Sequence, residues 1–341
     1  MPPLISIIIP HWNGIDVLSE CLDSIKQSNY PKKEIIVVDN ASIDGSQRWM
    51  KDNHPDVVLI ENKHNYGYAG GCNRGVSSAK GDWLLFLNND TIQEPDWLDY
   101  LAKTTTSNMA PAAIQPKILN YYERNLFDYA GGAGGHLDLF CYPFARGRIF
   151  LAQEKDMGQY NQPTEIFWAS GTAFMVKKEV FETAGGFDET FFAHQEEIDL
   201  CWRLKLMGQK IMVEPKAVVY HKNAVSLPMQ SFRKYYLNHR NSFFMLLTNY
   251  NLPLTLYFFP VRMVLEMVAL LYALGRGDLK HFGAVIKSLF WLLVHPGVIY
   301  RKRQKVKKVR TISDRELLKQ LYRGSIVFSH YIRGIKKYSE L

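Results

Sequence analysis

Trp83-Leu84-Leu85-Phe86-Leu87 runs without a break into Asn88-Asn89-Asp90-Thr91, and this stretch does most to limit what the chain can fold into. A short apolar run closed by turn residues reads as a strand buried on both faces, and such strands belong to sheets covered by helices on either side. Asn88, Asn89 and Asp90 then sit at the strand's carboxyl end, where open α/β sheets bind ligands. Asp90 offers a hard oxygen suited to Mg²⁺ or Mn²⁺, ions that commonly bridge carboxylate to phosphate. A polar strand end by itself is more often a plain turn, so the flanking segments decide between the two.

Those segments repeat the pattern. Leu4 to Ile9 is a β-branched run stopped by Pro10, followed by His11-Trp12-Asn13-Gly14. Ile15 to Ser28 carries Val17, Leu18, Cys21, Leu22 and Ile25 at helical spacing. Glu34 to Val38 ends on Asp39-Asn40, Gln47 to Asn53 reads as a helix, and Val57 to Ile60 as a third strand. Strand, helix, strand, helix, strand predicts parallel βαβ units. Pro95 is placed to begin the helix after Asp90. Further strands are expected at Ala112 to Ile118, Phe167 to Val176, Lys210 to Val213 and Val218 to Tyr220, with a short helix over Lys177 to Ala184. Residues 119–164, rich in glycine and aromatics without periodicity, read as an excursion lining a substrate groove.

Three constellations carry chemistry. Asn65 to Gly75 is glycine-rich; it serves either a helix start that receives an anion, with Arg74 adding charge, or close packing of that helix on the sheet. Glu196, Glu197 and Asp199 open a helix whose Ile198, Cys201, Trp202 and Leu206 form an apolar face. The helix dipole favours acids there in any case, but these follow an aromatic loop, Phe187 to Phe192. His221 closes the last strand; on residue type alone it is more often structural than a ligand.

Taken together the motifs resemble glycosyltransferase family 2, inverting enzymes of GT-A fold, and within it the bacterial rhamnosyltransferase-like branch. The resemblance covers about residues 4–221. It rests on Ser6 to Asn13, Val37 to Ser46, Asn65 to Gly75, Leu87 to Thr91, Gly185 to Phe192 and Glu196 to Arg203. It implies an α/β class with a Rossmann-like, mixed and mainly parallel sheet flanked by helices. It implies that Pro10, Asn13, Asp39, Asn65, Gly71, Arg74 and Asn89 bind the nucleotide-sugar. Asp90 matches the last residue of the family's DxD metal motif; Asn88 stands where the first carboxylate is usual, and His221 matches a later metal-ligating histidine, for Mn²⁺ or Mg²⁺. The catalytic base matches Glu197, with Glu in place of the usual Asp; Glu196 is the reserve candidate and Asp188 an acid near the acceptor. The implied reaction is a single displacement by an acceptor hydroxyl on a nucleoside-diphosphate sugar. The acceptor would be lipid-linked or a polysaccharide, at the cytoplasmic face of the inner membrane, with the protein peripheral or monotopic.

Charge divides the chain. Residues 1–221 hold 20 Lys and Arg against 28 Asp and Glu, whereas 222–341 hold 21 against 5. This predicts a catalytic domain over 1–224 and a helical, basic, membrane-associating region over 225–341. Leu252 to Leu274 is long enough to span a bilayer, but Arg262, Glu266 and two prolines favour a helix lying in its plane or buried in protein. Ala284 to Val294 is a second, shorter apolar segment. Seven basic residues between Arg301 and Arg310 suit an anionic membrane surface; a solvated helix is the plainer alternative. A nucleic-acid-binding protein is a competing reading of this tail, but no recognised nucleic-acid motif accompanies it and none is expected as partner. A third reading, prompted by Asn88 and Glu197, is an inactive nucleotide-sugar-binding module. The four cysteines lie far apart, against a zinc site or disulfide framework. Met1-Pro2-Pro3-Leu4 lacks the basic and apolar regions of a signal peptide.

Overall fold

The computed structural model describes residues 2–223 and 230–341. The boundary expected at 224 lies outside the described residues. In chain order the first half comprises β1 (Ile5–His11), α1 (Ile15–Lys26), β2 (Lys33–Asp39), α2 (Ser46–Asn53), β3 (Val58–Glu61), α3 (Gly67–Val76), β4 (Trp83–Leu87), β5 (Thr91–Gln93), α4 (Trp97–Thr105) and β6 (Ala113–Asn120). Four short strands follow, β7 (Gly135–Leu137), β8 (Pro143–Ala145), β9 (Arg148–Ile149) and β10 (Ala152–Gln153), then β11 (Thr164–Glu165), β12 (Ala173–Lys177), α5 (Lys178–Thr183), α6 (Glu196–Leu206) and β13 (Ile211–His221). The C-terminal region is helical: α7 (Phe232–Asn249), α8 (Leu252–Gly275), α9 (Leu279–Val294), α10 (Pro296–Val309), α11 (Asp314–Leu317) and α12 (Ile326–Tyr331).

The main sheet runs β11-β13-β6-β12-β4-β1-β2-β3, with β5 on β13. The β4-β1-β2-β3 half is parallel, and β12 lies antiparallel between β4 and β6. β7 to β10 form a separate antiparallel sheet. The sheet is mixed and mainly parallel, as expected. β4 is buried along its whole length. Leu84 and Phe86 join the core on the α3, α5 and α6 side, while Trp83, Leu85 and Leu87 join the core under α1 and α4. That alternation is what a strand covered on both faces requires.

Three expected boundaries shift for local reasons. The strand expected over Phe167 to Val176 begins only at Ala173, because Ser170 Oγ accepts the Thr172 N–H and Gln115 Oε1 accepts the Ser170 N–H, fixing a turn there. The two strands expected around Pro215 are one, with a register shift between Glu214 and Val218 that absorbs the proline. Pro95 lies outside α4, which starts at Trp97 behind Asp96.

The C-terminal helices share the larger core: Phe243, Phe244, Phe258 and Leu292 pack with Phe191, Trp202 and Leu206. Fully buried Asp199 ties three helices together. Its Oδ2 accepts from Arg203 Nε at 2.9 Å and Lys302 Nζ at 2.6 Å, and its Oδ1 from Asn249 Nδ2 at 3.0 Å. Asp199→Ala would strand buried Arg203, leave Lys302 with Asp188 alone, and should cost about 3–5 kcal/mol, read as a lower midpoint in urea denaturation. On α8, Arg262 and Glu266 are fully buried and paired at 2.5 Å, so both charges face the protein. Leu256, Tyr257, Val264 and Leu271 of the same helix are exposed. By length and composition α8 could cross a membrane.

Candidate active site

The carboxyl ends of β1 and β4, the loop before α3, the start of α6 and the helices α7, α8 and α12 enclose one cavity of about 1320 Å³. Pro10, Asn65, Asn89, Asp90, Glu196, Glu197 and His221 all line it. The topology explains why. β1 and β4 are parallel neighbours, so their ends open on the same edge, and β13 returns His221 to that edge.

Asn89 is fixed through His11, a residue the sequence did not single out. Asn89 Nδ2 donates to His11 Nδ1 at 2.9 Å, so Nε2 carries the hydrogen and donates to Ser46 Oγ at 2.9 Å. Burial lowers the His11 pKa and keeps the ring neutral despite Asp39 and Asp44. Asn65 Oδ1 accepts the Gly67 N–H at the first residue of α3, 2.9 Å away. Gly67 adopts φ +72°, and a Cβ there would lie 2.3 Å from the Phe192 carbonyl, so the loop before α6 can close on α3 only over glycine.

Asn13, Asp39, Gly71 and Arg74, also expected at the nucleotide, are not among the residues that line the cavity. Asn13 Oδ1 accepts the Ile43 N–H, and its own N–H donates to Ser42 Oγ, tying two strand-end loops together. Asp39 Oδ1 accepts from the Ser42 N–H and Gln47 Nε2, while its buried Oδ2 has no partner. Gly71 serves packing: a Cβ would meet Asn40 Nδ2 at 2.8 Å and Pro10 Cβ at 3.3 Å. Arg74 lies 3.5 Å over the Tyr66 ring and pairs with Glu189 at 3.3 Å. Asp188, expected near the acceptor, is engaged elsewhere within the protein. It caps the turn at Glu189–Phe191 through the Thr190 N–H and pairs with Lys302 at 2.9 Å, away from the cavity lining. The pairing joins residues distant in sequence, and no local pattern announces it.

His221 stands between two carboxylates, Asp90 at 3.2 Å from Nε2 and Asp128 at 2.9 Å from Nδ1. Burial opposes its charge, but Asp90 and Asp128 push its pKa up to about 10. Asp128 had no signal in sequence beyond its place in the aperiodic 119–164 excursion. Asp90 Oδ1 is buried and makes no hydrogen bond of sound geometry. A carboxylate and an imidazole facing each other across this gap fit a divalent ion, which would displace the imidazole proton. Among the described residues no third acidic, histidine or cysteine side chain completes a set. Water or the oxygens of a bound ligand would supply the rest, since Mg²⁺ commonly takes only one or two protein carboxylates. Asn88, whose Nδ2 is 3.5 Å from His221 Nε2, borders the same gap.

Glu196 and Glu197 begin α6 after a tense loop. Phe192, His194 and Gln195 all take positive φ, from +65° to +69°, which costs energy that the surroundings must offset. Asn241 and Arg240 of α7 do so: Asn241 Nδ2 donates to the His194 carbonyl at 2.6 Å, and Arg240 Nη2 to the Thr190 and Phe191 carbonyls. Both glutamate carboxyls have a buried oxygen with no partner. Burial raises both pKa values, that of Glu197 to about 7 against backbone N–H groups that include Gly171, and that of Glu196 well upward with Glu197's charge adding to the effect. Buried acids with raised pKa and free oxygens in a cleft suit proton transfer near neutral pH.

A family model described as glycosyl transferase family 2 matches residues 6–185. The O-antigen biosynthesis protein RfbC of Myxococcus xanthus is 27% identical over 234 residues, 66% of this chain and 18% of that protein. The N-acetylglucosaminyl-diphospho-decaprenol L-rhamnosyltransferase of Mycobacterium tuberculosis is 26% identical over 230 residues, 61% of this chain and 73% of that protein. The chain spans less than half the length of the first curated relatives it matches. Among solved structures, the mannosyltransferase PcManGT from Pyrobaculum calidifontis, in complex with GDP-Man and Mn²⁺, matches with a TM-score of 0.53. Sequence identity is 18%, over 94% of this chain and 88% of that one, which supports the fold.

Proposed function

The chain belongs to glycosyl transferase family 2, and from that premise we propose that it moves a sugar from a nucleoside-diphosphate sugar to a hydroxyl of a lipid-linked or polysaccharide acceptor, inverting the anomeric carbon. The observation that carries this is the meeting, in one cavity, of the Asp90–His221 gap with the raised-pKa pair Glu196 and Glu197. Pro10, Asn65 and Asn89 line the nucleotide side, with Asn13 and Asp39 bracing the strand-end loops. Asp90 and His221 would hold Mn²⁺ or Mg²⁺, which neutralises the diphosphate and the charge it gains on leaving. Glu197, steadied by the Gly171 N–H, takes the proton of the acceptor hydroxyl as that oxygen attacks. Glu196, kept protonated by burial and its neighbour, donates rather than accepts. The α6 loop held by Arg240 and Asn241 positions both. No enzyme nucleophile is required.

A base that titrates near 7 must be ionised to work, so kcat/KM should rise with pH through about 7 and fall off below it. A pH profile of transfer checks this, and a flat profile from 5.5 to 8.5 would count against Glu197. The donor is tested by thermal shift with UDP-, GDP-, dTDP- and CMP-sugars, with and without Mn²⁺. A nucleoside-diphosphate sugar should raise the melting temperature with Mn²⁺, and CMP-sugars, which lack a diphosphate, should not. No shift with any of them would refute the proposal.

We also propose that the protein lies peripherally or monotopically on the cytoplasmic face of the inner membrane, as a GT-A domain continuous with its basic helical region and without a nucleic-acid partner. The exposed apolar face of α8 and the basic end of α10 support this. The basic run is divided, however. Lys302 is buried on Asp188 and Asp199, Arg303 Nη1 donates to the Leu247 carbonyl, and Arg310 pairs with Asp314. Arg301, Lys305, Lys307 and Lys308 remain exposed. Changing these four to Gln should weaken binding to anionic vesicles by about 1 kcal/mol for each charge that reaches the surface. Equal binding at low salt would remove the electrostatic part of the proposal.

A further inference from the structure

The cavity has a cationic stretch that neither the donor nor the base accounts for. Arg148 and Lys234 flank one ring, that of Tyr129, at 4.7 Å and 5.4 Å. Arg233, next to Lys234, lies 4.5 Å over Phe192 in the loop before the catalytic pair. All three line the cavity with His194. Arg148 is 7% exposed, and its buried Nε has no hydrogen-bond partner. Among the described residues neither Arg148 nor Arg233 has a carboxylate within ion-pair distance, although the charge of Asp128 acts on Arg148 and on Lys234 from farther off. The cations lower the pKa of His194, after burial, and Arg148 lowers that of Lys234, again after burial. A buried arginine with an unpartnered Nε costs free energy in the empty protein, and with Arg233 beside it in the same lining this points to an anionic ligand.

Its place in the cavity narrows the class of ligand. On one side Tyr129 adjoins Asp128, which holds His221. On the other side Phe150, two residues beyond Arg148, packs on Tyr331 of α12 at 5.4 Å, and Tyr331 on Tyr272 of α8 at 6.2 Å. There the lining turns apolar, with Val268, Tyr272, Phe328 and Ile332 all more than half exposed. A ligand that follows this path is anionic beside the metal site and hydrocarbon beyond it. Resting on the transferase reading above, we propose that Arg148, Arg233 and Lys234 hold the diphosphate of a prenyl-linked acceptor, whose chain leaves between α8 and α12. A polysaccharide acid would match the cations but leave the apolar mouth unfilled.

The test uses the full chain in detergent with EDTA and three probes: geranylgeranyl diphosphate, geranylgeraniol and inorganic diphosphate. Calorimetry should show the prenyl diphosphate binding at least about tenfold more tightly than the other two, and Arg233→Gln should weaken it by about tenfold, a typical loss for one charge-assisted contact. Arg148→Gln should do the same. Arg233 is exposed, so its variant keeps the test decisive if the buried Arg148 site does not tolerate change. Binding of UDP, GDP or dTDP with Mn²⁺ is measured on the same samples and should be unaltered by Arg233→Gln. Inorganic diphosphate binding as tightly as the prenyl form would overturn the proposal in favour of a free-phosphate site. Loss of nucleotide binding with prenyl diphosphate binding unchanged would overturn it in favour of a donor contact. Prenyl diphosphate binding in a protein that binds no nucleoside diphosphate would instead sink the transferase reading and leave the anion site standing.

Discussion

Glu197→Gln should lower glycosyl transfer by about 10²- to 10⁴-fold, the usual contribution of a general base. Gln keeps the size and much of the hydrogen bonding of Glu but cannot take the acceptor's proton. Donor affinity should change little, since the carboxyl's role begins with the acceptor. Glu196→Gln should be mild, because burial and its neighbour already keep that carboxyl protonated, a state Gln imitates. The two variants are informative as a pair, with donor binding measured apart from turnover. A dead Glu196→Gln beside a nearly normal Glu197→Gln would move the base back by one residue. Normal activity in both would reduce the pair to a favourable helix start.

Asp90→Asn should also reduce transfer by orders of magnitude, for a different reason. It removes the only carboxylate of Asn88-Asn89-Asp90, and with it the hard oxygen that can link a divalent ion to the diphosphate. It also removes one of the two charges that keep His221 protonated. The fold should survive, since Asp90 follows the end of β4 and the sheet core packs beneath it. Mn²⁺-dependent stabilisation by the donor should vanish while the melting temperature of the free protein stays near wild type. Wild-type turnover in the variant with EDTA present would show that no metal acts through Asp90.

How much of this was legible in the sequence varied with how local the cause was. β4 could be read because each of its residues is buried on one face or the other, and the parallel half of the sheet repeats that signal. Asn65, Asn89, Asp90, Glu196, Glu197 and His221 were legible because strand ends and a helix start put them on one edge. The ion pair of Asp188 could not be read because its partner, Lys302, comes from a helix far along the chain. Gly71 and Arg74 sat in a motif with two physical uses, and packing against Pro10 and Asn40 took the glycine. Asp128, Arg148, Arg233 and Lys234 follow no periodicity at all. Their relation exists only once the small sheet and α7 close over the same cavity. The basic run between Arg301 and Arg310 looked uniform, yet helical geometry turned Lys302 inward to Asp199 and left Arg301 and Lys305 outside.

The most direct measurement is the anomeric configuration of the sugar when it is first released from the donor, to acceptor or to water, followed by proton NMR before mutarotation. A single displacement by an oxygen activated at Glu197 predicts the configuration opposite to that of the donor. Retained configuration would require a second displacement or a covalent intermediate, and would contradict the account.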